Sequence, residues 1–574
     1  MTRPAVSARA LAAARGDEPA DLLVTGGRVF VAPTGEWIDT ALAIADGAIV
    51  GWGPREAIET VDVGGAALTP GFIDAHMHLE STKLWVDEFV RSVLPWGTTA
   101  VAADPHEIAN VFGIPGVAAL IEAAAPLPFT FGVCASSCVP ASPFESSGAE
   151  LLAADVRALL DGHGAIGVAE VMNFPGVIAG DSDLMAKIAA AGHRRVDGHA
   201  PGLGGTALDA YLAAGVESDH ECTLLDEAEE KRRKGMWVFI RQGSSTKNIA
   251  ALAPMVLRGG SRHVALCTDD REPDLILEHG HMSDCVRLAI EHGVTVEEAL
   301  VLATMNPAEY HNFHALGQLA PGYQADVLAF DGFTDFRPVT VWQRGAVVAE
   351  RGVAVPGAVP ASAVPDWMLT SMHLGRRPGA DELTLSPPPG GRARVIGLVE
   401  GQVLTEHLVL DVTDPAVDLA RIAVLERHHA TGRVGVGWVS GFGLARGALA
   451  STVAHDAHNC MVVGARDSTG PDEMAVAVAR LGEIGGGQVV VLDGRVVAEV
   501  PLPIGGLMSP LSAVEIARQT EVVKRAAHDQ LGVTIEAPFM QLSFLGLSVI
   551  PHLRITDKGL VDVDAFALTD VTAP

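Results

Sequence analysis

Two histidines with one residue between them, His76 and His78, stand near the end of the stretch GFIDAHMHLE, residues 71–80. The residues leading into them, ALTPGFID, are apolar and punctuated by glycine, which predicts a buried strand. On a strand, residues i and i+2 face the same side. Both imidazoles therefore project together from the strand's end. Neutral imidazoles are good ligands for a divalent cation, although a lone His-x-His also fits two ordinary histidines. Four further ligand-type residues close other strand-like runs: Glu170 in AIGVAEVMN, His199 in RRVDGHAP, His220 in GVESDHEC and Asp269 in HVALCTDD. Four histidines and two carboxylates are enough for two divalent cations, with a carboxylate such as Glu170 bridging them. A bound dication lowers the pKa of its water towards neutrality, so the chemistry on offer is hydrolysis at pH 7.

Such a constellation needs elements that bring the strand ends together. Between about 70 and 316 there are eight strand-like runs, each followed by a helical segment. This alternation predicts a (β/α)8 TIM-like hydrolase barrel. Each run turns polar at its C-terminal end, the rim where barrels carry their chemistry. Short β-like runs with turn residues flank the barrel over 21–69 and again over 317–360. They are expected to pair into one small composite β-sandwich domain. Residues 1–20 form a flexible or helical tail. The Pro/Ala-rich stretch 361–375 is a linker. Residues 376–574 carry strands and helices of their own and form a separate C-terminal α/β or α+β domain.

Bulk composition narrows the function classes. The chain has 574 residues, 48% of them hydrophobic and 19% charged, so it has ample core and is not disordered over most of its length. A net charge of −30 repels phosphate backbones and anionic membranes, while a small neutral substrate tolerates it. Six cysteines in this length are no disulfide framework, and Cys134 and Cys138, spaced CxxxC, are read as small buried thiols. The compartment is expected to be reducing and cytoplasmic. No apolar run approaches the roughly 20 residues of a membrane span, and the N-terminal segment has no apolar signal core.

With these residues in view, PGFIDAHMHLES followed by DPHEIANVFGIPG resembles the amidohydrolase superfamily and, within it, the adenine deaminases. GVAEVMNFPGVI, DGHAPGL, SDHECT, IRQGSSTKN, CTDD and ATMNPAEY extend the resemblance, and GFGLARGALASTVAHDAHN and PLPIGGLMS carry it into the C-terminal region. The resemblance implies a binuclear centre of Mn, Fe or Zn held by His76, His78, bridging Glu170, His199, His220 and Asp269. Many superfamily members bridge with a carboxylated lysine. The glutamate here argues against a hydantoinase or dihydroorotase. The implied reaction is adenine plus water giving hypoxanthine and ammonia, in a homo-oligomer such as a dimer. Alternatives are another 6-aminopurine or a cyclic amide. A non-catalytic barrel would have eroded ligands, and all six positions are intact. Lys83, Trp96 and Glu272 depart from the expected pattern.

In that reading an activated hydroxide attacks C6, and Asp269 takes its proton and passes it to the leaving amine. Attack pushes electrons onto the ring, so N1 needs an acid. Glu80, His106, Glu107 and Glu221 are candidates, with His106 and Glu107 ranked first. Glu221 is ranked last, because on a continuing strand it would face away from His220. Asp104 could bind substrate or cap a helix whose first position is Pro105 and whose capping box includes Glu107. Arg241 and Ser244 could touch the purine, although holding other groups in place is the preferred role. His455, Asp456, His458 and Asn459 are expected to form a local hydrogen-bond network in preference to a metal site or a reach across to the barrel. Gly485–Gly487 is read as a turn.

Overall fold

A computed structural model describes residues 6–573. Eight parallel strands make the barrel: β1 (Phe72–Met77), β2 (Thr98–Ala103), β3 (Thr130–Val133), β4 (Gly167–Val171), β5 (Arg195–Gly198), β6 (Ser218–Asp219), β7 (Trp237–Arg241) and β8 (Val264–Cys267). Ladders join β1–β2–β3, β4–β5 and β6–β7–β8. Single backbone contacts complete the ring. Ala135 N–H donates to Gly167 O after β3, and Glu217 N–H donates to Val196 O before β6. At the seam, Asp269 N–H donates to His76 O at 3.0 Å, and Met77 pairs with Asp269. Strands β1, β2 and β8 are buried along their whole length, because helices cover their outer face and side chains fill the interior.

The chain enters and leaves the barrel through one β unit. Ala67–Pro70, just before β1, pairs antiparallel with Val327–Phe330, which follows the barrel. Those two strands sit in a seven-stranded sheet, and a four-stranded sheet made from residues 20–62 packs against it. Val24, Ile44, Leu68, Val327 and Trp342 fill the space between the sheets. Of the N-terminal tail, Ala8–Arg15 is a helix capped by the Ser7 hydroxyl, and Arg9 ties it to Asp21 and Asp46. Residues 1–5 lie outside the described residues.

The stretch expected as a free linker is instead pinned at both ends. Ser362 N–H donates to Asp87 Oδ2 on the barrel side, and Met368, fully buried, accepts from Gly505 N–H through its carbonyl. The C-terminal unit is an eight-stranded sheet with one parallel pair, Arg392–Leu398 against Val434–Ser440, and otherwise antiparallel pairing. Helices Gly470–Ile484 and Ala513–Leu531 pack on it. Its apolar side chains, Leu507, Met508 and Ile516 among them, share one continuous core with Leu84 and Val90 of the barrel. The unit therefore seats on the barrel and closes over it. Among the described residues no helix is long and apolar enough to cross a membrane.

Candidate metal centre

All six predicted ligands meet at the C-terminal rim of the barrel, each almost fully buried. His76 Nε2 and His78 Nε2 lie 3.3 Å apart. His78 Nε2 is 3.4 Å from Glu170 Oε1 and 3.1 Å from Asp269 Oδ1. His76 Nε2 is 3.6 Å from Asp269 Oδ1, and His220 Nε2 is 3.3 Å from Glu170 Oε2. The rings of His76 and His220 stack at 3.9 Å. His199 Nδ1 faces Glu170 Oε2 at 2.5 Å, so Glu170 has histidines against both oxygens.

These separations test whether a metal fits. Two ligand atoms each roughly 2.1 Å from one cation lie roughly 3.0–3.4 Å apart, longer than a good hydrogen bond. Most of the contacts fall at or near that range. His78 Nδ1 lies 3.0 Å from the Asp104 carbonyl. Donation there places its proton on Nδ1 and leaves the Nε2 lone pair facing Glu170 and Asp269, the orientation a metal-bound histidine needs. His199 Nε2 and His220 Nδ1 are buried with no protein partner. Burial opposes charge on Asp269 and Glu170. Arg241, His76 and His78 nevertheless hold Asp269 well below the usual carboxylate range, and His199 and His220 do the same for Glu170. The donor set therefore fits a divalent metal centre.

Local backbone aims these groups. Asp269 sits just past β8 at φ 56°, a left-handed conformation that Asp tolerates better than most residues. That bend turns its carboxylate into the mouth. Strand β6 is only two residues long, so the alternation that would have turned Glu221 away ends before it. Glu221 instead enters the cavity beside His220, 3.6 Å from its Nε2, and pairs with Arg241. The expectation that Glu221 faces away is corrected.

The other candidate residues sort by what they touch. Arg241 donates to both Asp269 and Glu221 and lines the cavity. Asp104 holds the scaffold: Oδ1 accepts from His106 N–H and Oδ2 from Glu170 N–H, with His106 Nδ1 at 3.3 Å. Ser244 accepts the Glu272 N–H through its hydroxyl and does not line the cavity. For Ser244 holding other groups in place was the preferred reading and for Asp104 a cap was the alternative, and both accept hydrogen bonds from backbone amides. The helix after DPHE starts at His106, with Pro105 outside it. Glu107 makes no capping box. Its carboxylate turns inwards, towards Ser81 and His455. Glu80 accepts Ile108 N–H and, like Glu107, lies behind the cavity wall. Burial and then the charge of Glu80 push the Glu107 carboxyl well above its usual range.

The reach across from the C-terminal unit, set aside in favour of a local network, is what the structure has. Asp456 Oδ1 stands 3.4 Å from His106 Nε2, and His455 Nδ1 is 3.5 Å from Glu107 Oε1. Met172, Val403, Phe544 and Leu547 form the apolar wall of the same cavity, three of them from the C-terminal unit. The AHDAHN run was a legible signal for the first pair, whereas nothing in FMQLSFLGLS marked Phe544 as a wall. A roomier cleft between residues 32–35 and 261–263 lies at the opposite, N-terminal rim and gathers no comparable ligand set.

Two of the three departures from the expected pattern explain one another. Lys83 and Glu272, both fully buried, form an ion pair that Lys524 of the C-terminal unit extends at 2.5 Å. Burial opposes charge on Glu272, but the two ammonium groups bring it down to about 2. Trp96 carries the Arg337 guanidinium over its ring at 4.4 Å. None of the three touches the ligand cluster.

Residues 67–349 match the amidohydrolase family, and residues 399–567 match the adenine deaminase C-terminal domain. The chain is 44% identical over 567 residues to an adenine deaminase of Desulfatibacillum aliphaticivorans, covering 97% of this chain and 98% of that one. It is 41% identical to adenine deaminase 2 of Carboxydothermus hydrogenoformans, with 97% and 98% covered. The figure for an adenine deaminase of Cereibacter sphaeroides is 44%, with 96% and 98% covered.

Proposed function

The chain belongs to the adenine deaminase family of the amidohydrolases, and on that premise we propose that it hydrolyses adenine to hypoxanthine and ammonia. The observation that carries this reading is the intact set of six ligand side chains at one barrel rim. His76, His78, Glu170, His199, His220 and Asp269 would hold two divalent cations. Bound there, the cations supply Lewis acidity that ionises water near pH 7.

The chain's own residues do the rest. Asp269, kept ionised by Arg241, accepts a proton that water gives up and returns it to the departing amino group. The ring nitrogen needs a proton as C6 is attacked. Of the four candidates only His106 and Glu221 line the cavity. We assign the transfer to Glu221: its carboxylate, which the Arg241 fork fixes beside His220, takes up one of the two protons water gives up and passes it to the ring nitrogen, while Asp269 carries the other to the amine. Met172, Phe544 and Leu547 offer an apolar wall to a flat heterocycle and exclude water from it. The same reading extends to a homo-oligomeric enzyme of the cytoplasm using Mn, Fe or Zn.

The test gives metal-loaded protein adenine, other 6-aminopurines or a dihydropyrimidine, and measures ammonia from the aminopurines and ring opening of the dihydropyrimidine. Adenine is expected to be the best substrate. No ammonia from adenine, with ring opening of the dihydropyrimidine, would overturn the reading.

A further inference from the structure

Beside the ligand cluster, where His106, His455 and Asp456 line the same cavity with Glu107 behind them, stands a second group of ligand-type side chains that the reaction above does not use. His106 Nε2 faces Asp456 Oδ1 at 3.4 Å. His455 Nδ1 is 3.5 Å from Glu107 Oε1 and 3.8 Å from Asp456 Oδ1. Ligand atoms of His106, Glu107 and His455 all lie within 4.8 Å of one another. All four residues are buried, with side-chain exposure of 5% or less. His106 and Glu107 come from the barrel, after β2. His455 and Asp456 come from the C-terminal unit.

The separations are too long for hydrogen bonds and right for ligands of one cation, since tetrahedral bonds of roughly 2.1 Å put ligand atoms roughly 3.4 Å apart. His106 Nε2, Glu107 Oε2, His455 Nε2 and Asp456 Oδ2 are buried without a hydrogen-bond partner. Native folds leave few such atoms, and here four neighbouring residues each carry one. The supporting shell is also built. Asp104 Oδ2 and Glu170 Oε1 each lie 3.3 Å from His106 Nδ1, so a proton there faces the first centre and leaves the Nε2 lone pair pointing at Asp456. Ala454 N–H donates to His458 Nδ1, which puts the proton of a neutral His458 on Nε2, 3.7 Å from Glu107 Oε2. In that tautomer His458 offers no lone pair to the group and is not itself a ligand.

We propose that His106, Glu107, His455 and Asp456 bind a third divalent cation, distinct from the pair bridged by Glu170. Two imidazoles and two carboxylates suit a first-row transition ion, Mn or Zn above Mg or Ca. With two ligands from each unit, the ion clasps the C-terminal unit onto the barrel and fixes the cavity wall that Asp456, Phe544 and Leu547 provide.

The experiment loads full-length protein with Mn alone and measures metal per chain after gel filtration. About three ions per chain are expected in the wild type, and about two in His455→Ala and in Asp456→Asn. Crystals of the wild type soaked in Mn are expected to show an anomalous peak between His106 Nε2 and His455 Nδ1. That peak does not depend on either variant folding. Saturation at two ions with no anomalous signal there, only ordered water, overturns the proposal. So does a third ion that persists in both variants. Neither readout uses turnover, so failure here leaves the proposed reaction standing.

Discussion

The guanidinium of Arg241, at the end of β7, donates to the carboxylates of both Asp269 and Glu221, which stand at the ends of two other strands. One planar fork thus sets the position of the proposed base and of the proposed ring-nitrogen proton carrier together. A lysine could neutralise either carboxylate but could not span both with fixed geometry. Arg241→Lys is therefore expected to keep its bound metal and lose about 10- to 100-fold in kcat, the usual loss when a partner of an active-site group is removed. Ammonia release and metal content on the same sample check this. An unchanged kcat would mean the fork is not needed.

His76→Ala and Asp269→Asn should fail in different ways. The first removes an imidazole from the middle of the ligand cluster and should lose metal and activity together. The second keeps the shape and most hydrogen bonds of the side chain, so circular dichroism should show a native fold while turnover falls on the order of 10³-fold. Asp269→Asn turning over adenine at the wild-type rate would remove Asp269 as the base.

The buried Lys83–Glu272–Lys524 group joins barrel to C-terminal unit, and removing one cation leaves a carboxylate short of a partner. Lys83→Met is expected to cost about 2–3 kcal/mol, less than a fully broken buried pair because Lys524 remains. Adding Glu272→Gln should recover part of that loss. Denaturant midpoints of the single and double variants measure the coupling, and additive losses would count against it.

Glu145 is fully buried, accepts hydrogen bonds from Ala141 N–H and Ser548 Oγ, and is raised from the usual 4.5 to about 8 by burial and then by Asp456. A carboxyl that holds its proton more tightly when folded stabilises most below its unfolded pKa. That stabilisation is lost as pH rises through the folded value, so the window runs from about 4.5 to about 8. Stability of the wild type should therefore fall across that window more steeply than that of Glu145→Gln, by on the order of 2–4 kcal/mol in total. Urea midpoints at pH 5, 6.5 and 8 provide the comparison, and parallel profiles would contradict it.

Much of the site was legible because its signals are local. Strand alternation put His76 and His78 on one face, and the polar ending of each run marked Glu170, His199, His220 and Asp269. The barrel followed from eight alternations of strand and helix. The same local rule misplaced Glu221, because it assumed a strand that continues and β6 stops at Asp219. For Asp104 and Ser244, which end strands on the active rim, the sequence left substrate contact and a positioning role both open. Only their hydrogen bonds show that they brace backbone.

By itself the sequence determined which residues could bind metal and on which rim, since periodicity and residue type need only a few neighbours to be read. Tertiary packing alone decided that Asp456 meets His106, that Phe544 walls the cavity and that Lys83 pairs with Glu272. Those meetings join segments far apart in the chain. Their partners are chosen by how the C-terminal sheet seats on the barrel core, and no local pattern encodes that seating.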